Sequence, residues 1–272
     1  MGVDKIKKIF CKLLFILVSI LILFEFNSNV LCYFDKNNPN IIQLNGAKNV
    51  RELGGYSTNS GEKTLSKSFL RADSLDELTN DDIKILLEYG VKNILDLRSE
   101  KDVNRKPDVE GLVKNTNYVC IEVPIKTEIL REVNIGREKM SDFYIEILGE
   151  KQSVRQIFEF IETHIEGVTL FHCTHGKDRT GVISLILLGL AGVKEDDLVQ
   201  DYSISYELIK DKPVVKKGIM NKGLPGYLSE SEYIIGVLEY IKTTYGNFEN
   251  YLLSCGIELH TIESVKNKLV KK

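Results

Sequence analysis

The chain predicts an α/β fold with a central, mostly parallel sheet flanked by helices and a helical C-terminal third. Three observations carry this. Helix-period and strand-like apolar segments alternate as far as residue 209, only helical segments follow, and short β-branched runs directly succeed glycines that end helices. At 272 residues, 43% hydrophobic and 28% charged, the chain is long enough for one sizeable core.

The first thirty residues stand apart. Lys5, Lys7, Lys8 and Lys12 precede or abut an apolar run from Leu13 to Phe24. A basic start followed by an apolar stretch of about 7–15 residues has the layout of an export signal. Counted from Ile9 to Phe26, with Lys12 snorkelling, the segment has 18 positions, about 27 Å of helix, which also suits an uncleaved anchor. Cys32, behind bulky Leu31, offers lipid attachment as a third route. Residues 1–32 are therefore expected to be a signal peptide or membrane anchor, and the protein to be secreted or membrane-anchored and extracytoplasmic. Residues 33–46 read as a linker and 47–272 as one domain.

Within that domain, Gly54-Gly55 signals a turn. Residues 77–90 form a helix, with Thr79 as N-cap, Asp82 three positions on, Ile83, Leu86 and Leu87 sharing a face, and Gly90 as the stop. Strands follow at 91–99 and 117–124. Val154, Ile157, Phe158, Ile161 and Ile165 have helical spacing, which predicts a helix over 153–167, and 168–173 reads as a short strand. Residues 181–193 are apolar on every side, so a buried helix is expected there, too short to span a bilayer. A further helix covers 194–209. The segment 210–232 loses periodicity and carries Lys210, Lys212, Lys216, Lys217 and Lys222, and amphipathic helices resume at 231–245 and 259–271.

Net charge is −3, with +2 in residues 1–30 and −5 in the remainder, so no global field draws nucleic acid. Cys11, Cys32, Cys120, Cys173 and Cys255 are too dispersed for a disulfide framework, and no Cys-x-x-Cys or Cys-x-x-His pair suggests zinc. Cys120 and Cys255 read as small apolar fillers. The residues call for no metal and no cofactor.

The chemistry concentrates in "LFHCTHGKDRTGV", residues 170–182. A strand feeding a loop and then a buried helix presents free backbone amides and the positive end of the helix dipole to an anion. Cys173 opens the loop and Arg179 closes it with five residues between, a span that wraps one tetrahedral anion. Arg179 would grip two oxygens with its planar fork. Cys173, near that charge and the helix start, would have its pKa lowered from about 8.5 and act as a thiolate nucleophile. Gly176 and Gly181 permit close backbone approach, and Thr180 can hydrogen-bond the thiolate.

This stretch resembles the cysteine-dependent protein tyrosine phosphatase superfamily, whose signature is His-Cys-x5-Arg-Ser/Thr. Its Gly-Lys-Asp-Arg-Thr form is similar to a bacterial tyrosine phosphatase/lipid phosphatase branch, which "NVRELGGY", "FLRADSL" and "NILDLRSEKDVNRKPD" also resemble. The resemblance covers about residues 45–272. It implies a phosphatase domain that hydrolyses phosphomonoesters through a phosphocysteine, acting on phosphotyrosine proteins or phosphoinositides, with Cys173, Arg179 and Asp178 catalytic. Thr174, His175, Gly176, Lys177, Thr180 and Gly181 would line the substrate site. The tryptophan-containing acid loop of many relatives is absent, since the chain has no Trp. Asp178 is then the acid that the resemblance implies, with Asp96 as the alternative or as a partner for Arg98. His172 would support the loop, and Lys177 would suit multiply phosphorylated substrates. Arg51 and Arg71 read as bracing residues, and 210–230 as a lid or a solvated loop. Two other classes stay open: a non-catalytic phosphate-binding module, and a thiol redox or arsenate reductase-type protein, which would need a resolving cysteine.

Overall fold

A computed structural model describes residues 34–35, 38–222 and 224–270. The leader expected at 1–32 lies outside the described residues. Within them, no helix is long and apolar enough to cross a membrane. Seven strands form one sheet in the order β1-β2-β3-β4-β7-β5-β6. They are β1 (Phe34–Asp35), β2 (Asn38–Ile42), β3 (Arg51–Glu52), β4 (Phe69–Ala72), β5 (Val91–Asp96), β6 (Asn117–Cys120) and β7 (Val168–His172). The first three pair antiparallel, as do β3 and β4, whereas β4, β7, β5 and β6 run parallel. The register sets Ala72, His172, Asp96 and Cys120 in one row at the C-terminal ends of the parallel strands. Open α/β sheets place their ligands beyond that edge.

The helices are α1 (Asn80–Tyr89), α2 (Glu100–Arg105), α3 (Glu110–Val113), α4 (Thr127–Asn134), α5 (Met140–Gly149), α6 (Lys151–Thr163), α7 (Asp178–Leu190), α8 (Glu195–Ser203), α9 (Ser205–Ile209), α10 (Pro213–Lys222), α11 (Ser231–Tyr245), α12 (Phe248–Ser254) and α13 (Leu259–Leu269). Helix α1 is stopped as its sequence predicts. Thr79 and Asp82 form a capping box, and Gly90 takes a left-handed φ of 108°. Asp82 also accepts the amides of Asn45 and Gly46 at 2.8 and 2.9 Å, tying the helix start to the preceding loop.

Strand alternation sorts the site residues between two faces. Leu70, Ala72, Ile94, Val168 and Leu170 join the core with Ile85, Leu86 and Tyr89 of α1. Phe69, Leu95, Phe171 and Cys173 join the larger core with α5, α6, α7 and the C-terminal helices. By the same period, His172 and Asp96 belong to the α1 face, while Arg71 and Cys173 belong to the α7 face. Every residue of α7 from Arg179 to Leu188 is buried, which explains its lack of a polar side.

Several expectations are corrected. The 33–46 linker instead contributes β1 and β2; Ile42 and Leu44 are buried because the apolar pair there completes the sheet edge over the α1 core. Helix α6 ends at Thr163 rather than 167, which leaves Ile165 exposed. Strand β6 stops at Cys120, four residues short of expectation. Cys120 is exposed rather than a core filler, because β6 is an edge strand; Cys255 is buried. Helix α7 starts at Asp178, so Asp178, Arg179 and Thr180 form its first turn. The supposedly aperiodic 210–232 contains α10, whose Gly218 leaves room for the Tyr227 ring.

Truncating a fully buried residue in the last turn of α7 tests this burial. Leu188→Ala should lower unfolding stability by about 2–5 kcal/mol, measured as a lower midpoint in chemical denaturation.

Candidate active site

Between β7 and α7 lie only residues 173–177. The N-terminus of α7 has no side-chain cap hydrogen bond, so its first amides are left for a ligand. Gly176 sits at φ 63°, and a Cβ there would come within 2.4 Å of the Ala72 carbonyl oxygen. Its own carbonyl accepts Arg71 Nη2 at 2.7 Å and Asn49 Nδ2 at 2.8 Å. Asn49 also donates to the His175 carbonyl at 3.2 Å. Carbonyls drawn outward in this way do not crowd the centre of the loop.

Arg71 and Arg51, paired across β3 and β4, are both buried and share the Asp201 carboxylate of α8. Arg51 Nη2 further donates to the Asp201 carbonyl at 2.6 Å and to Ser205 Oγ at 3.1 Å. Both arginines therefore brace the loop from behind, as their sequence context suggests.

Cys173 is 2% exposed. Burial alone would raise its pKa, but the Arg179 guanidinium and the hydroxyl and amide of Thr180 outweigh it, holding the thiol below its ordinary range. Arg179 is positioned by the Leu97 carbonyl at 3.3 Å and by Thr174 Oγ1 at 3.1 Å. The buried Thr180 hydroxyl has no hydrogen-bond partner other than this sulfur among the described residues.

Asp178 Oδ1 takes both the Tyr144 hydroxyl at 2.8 Å and Lys177 Nζ at 2.8 Å. Burial would raise the Asp178 pKa, but the Lys177 charge, its hydrogen bond and that of Tyr144 hold it below the usual carboxylate range. Lys177 is neither solvent-facing nor aimed outward. It is 1% exposed, and its ammonium also donates to the Leu228 carbonyl at 2.9 Å. The Tyr227 ring meets His175 edge-on with centroids 6.5 Å apart. The turn after α10 thus lies over the loop, and the Gly226 amide joins it to Asn134 of α4. Burial lowers the His175 pKa to about 4, leaving a neutral imidazole at the rim. Gly181 faces Tyr202, where a Cβ would approach the ring to 3.2 Å.

On the opposite sheet face, His172 Nε2 stands 2.9 Å from Asp108 Oδ2. Burial lowers the His172 pKa, but Asp108 and Asp96 more than reverse this, so the net direction is up. Arg98 bridges Asp96 at 2.6 Å and Asp108 at 2.7 Å, and the Tyr118 hydroxyl completes Asp96 at 2.9 Å. Asp96 is completely buried, and its geometry is that of an ion-pair partner. Asp96, Asp108 and His172 are the one group of potential metal ligands among the described residues, and the Arg98 guanidinium already supplies positive charge to both carboxylates.

Cys120 is two strands from His172 in the same row, about 9–10 Å, whereas a disulfide tolerates roughly 7 Å between Cα atoms. The three described cysteines are free.

Sequence reasoning missed Asn49, Asp108, Tyr144 and Asp201. The first two sit inside the family-like stretches "NVRELGGY" and "NILDLRSEKDVNRKPD", and so carried a signal. Tyr144 and Asp201 lie on helices whose ordinary amphipathic pattern hides them.

A Cys-x5-Arg loop between the carboxyl end of a parallel strand and a helix N-terminus, with the thiol pKa lowered by the guanidinium, defines the cysteine-dependent phosphatases. Residues 42–271 match the tyrosine phosphatase family, and the chain belongs to it; it is a phosphatase. It is 30% identical over 217 residues to a tyrosine-protein phosphatase of Nostoc commune, covering 74% of each chain. It is also 27% identical over 121 residues to the triple specificity protein phosphatase PtpB of Mycobacterium tuberculosis, covering 37% of this chain and 43% of that one.

Two outcomes follow from the geometry. Asp201→Ala leaves two buried arginines unpaired and should cost about 3–5 kcal/mol of stability, read by denaturant titration. In an ultraviolet titration of thiolate absorbance, Cys173 should ionise first, because its pKa is lowered while those of Cys120 and Cys255 are raised. Arg179→Ala should move that step to higher pH, and Cys173→Ser should abolish it.

Proposed function

We propose that the protein hydrolyses phosphotyrosine and related phosphomonoesters in two steps through a phosphocysteine. The observation that carries this is a buried thiol held below its ordinary pKa by Arg179 at an uncapped helix N-terminus. In the first step the Cys173 thiolate bonds to phosphorus, while Arg179 and the loop amides over residues 174–179 hold the equatorial oxygens. Asp178 protonates the leaving oxygen as its bond to phosphorus breaks. Water then attacks the phosphocysteine, Asp178 takes a proton from it, and the sulfur departs as a thiolate steadied by Thr180. Asp96 and His172 support the loop from the α1 face. Thr174 and His175 shape the rim, Gly176 lets the loop pack against Ala72, and Gly181 lets α7 approach Tyr202.

Phosphoinositides are the second substrate class. The Lys177 ammonium, one loop position from Asp178, supports this reading, as does the broad specificity in the name of the mycobacterial relative. The segment over the loop acts as a lid that must lift to release Lys177 from Leu228. Export or membrane attachment through residues 1–32 is part of the same reading, and rests on the basic, then apolar, layout of that segment.

An aryl phosphate assay of wild type beside Cys173→Ser tests the core of this. Turnover should be present in the first and absent in the second, and activity surviving in Cys173→Ser would refute this nucleophile. Lys177→Ala should weaken turnover of a soluble phosphoinositide more than that of a phosphotyrosine peptide. Equal losses would remove the lipid reading.

A further inference from the structure

The catalytic reading gives Asp178 a proton to deliver, but a carboxyl group has two oxygens, and only one can face the leaving group. The surroundings of Asp178 treat them differently. Oδ1 receives the Tyr144 hydroxyl at 2.8 Å and the Lys177 ammonium at 2.8 Å. Oδ2 has no hydrogen-bond partner among the described residues, and the side chain is 23% exposed. Tyr144 is fully buried on α5, and its hydroxyl lies 2.6 Å from that of Tyr202 on α8, also buried. A phenol has one proton to donate. Since Tyr144 gives its proton to Asp178, Tyr202 must give its own to Tyr144. Lys177 Nζ also donates to the Tyr144 oxygen, at 3.3 Å. The result is a directed chain from Tyr202 through Tyr144 to one oxygen of Asp178.

We propose that Tyr144, oriented by Tyr202, is a positioning residue that anchors Asp178 Oδ1 and thereby assigns the transferable proton to Oδ2. This rests on the reading of Asp178 as the acid. As the P–O bond breaks, its electron pair stays on the leaving oxygen, and the proton passes to that oxygen from Oδ2. In the second step Oδ2 takes a proton from the attacking water as the new P–O bond forms, and the P–S pair returns to Cys173. Oδ1 keeps its donors throughout, so the carboxyl need not rotate between the two half-reactions.

The groups facing Asp178 are Cys173, His175 and Lys177 from the loop and Tyr144 from α5, with Tyr202 of α8 behind it. Tyr144 and Lys177 both favour the carboxylate. Removing the Tyr144 hydroxyl therefore raises the Asp178 pKa, and the acid stays protonated to higher pH.

The test is the pH profile of kcat/KM for Tyr144→Phe and Tyr202→Phe, measured on aryl phosphates with good and poor leaving groups, alone and combined with Asp178→Ala. In Tyr144→Phe the basic limb should move to higher pH. Turnover of poor leaving groups should fall about tenfold more than that of good ones, part of the roughly 10²–10⁴ a general acid supplies. Tyr202→Phe should shift the limb the same way by less. In the Asp178→Ala background Tyr144→Phe should add nothing. A uniform loss with an unmoved limb, or an undiminished loss in that background, makes Tyr144 merely structural and overturns the proposal. If Asp178→Ala itself affects all leaving groups equally, the acid reading fails, and the proposal fails with it. Melting curves for each variant separate these outcomes from misfolding.

Discussion

The Asp201 carboxylate is the contact on which the rest of the site depends. Arg51 and Arg71 face each other across antiparallel strands, both buried, and like charges so placed destabilise a sheet. Asp201 reaches down from α8 and bonds both guanidinium groups, offsetting one of the two charges, with Arg51 Nε 2.9 Å away. One consequence is structural, since the helical layer is pinned to the sheet. The other is chemical, since Arg71 held in this way has a donor left for the Gly176 carbonyl. The loop is thus shaped by an ion pair it does not contain.

Strand periodicity divides the electrostatics of the site into two compartments. On the α7 face stand the thiol, Arg179 and the Asp201 clamp. On the α1 face, His172, Asp96, Arg98 and Asp108 form a separate buried cluster. His172 and Cys173 are sequence neighbours yet point to opposite sides, so protonation of the imidazole is governed by Asp108 and Asp96 and the thiol by Arg179 and Thr180. Burial opposes charge in both compartments and is outweighed in both, each time by partners from other elements.

What was legible in the sequence was local. The cap of α1, the glycine stop at residue 90 and the strand–loop–helix order around Cys173 are set by residues within a few positions of one another. Helix α7 was placed but began three residues early, because its polar first turn looks like loop when apolar periodicity is the guide. Asn38–Ile42 read as linker because a five-residue strand containing Asn and Pro has no repeating pattern; it is fixed by pairing with β1 and β3. Within the site, the short signature supplied Cys173, Arg179 and Asp178. Tyr144 and Asp201 arrive from helices 34 and 23 residues from Asp178, and nothing in their own segments marks them as polar groups aimed inward.

Besides the Tyr144 hydroxyl, Lys177 binds both the Asp178 carboxylate and the Leu228 backbone of the covering segment. Two equilibria that share one ammonium are thermodynamically linked. Whatever factor opening of the cover exerts on the proton affinity of Asp178, protonation of Asp178 must exert on opening. On the proposed reading, in which the cover opens to admit substrate and Asp178 is the acid, the same reciprocity couples these two events.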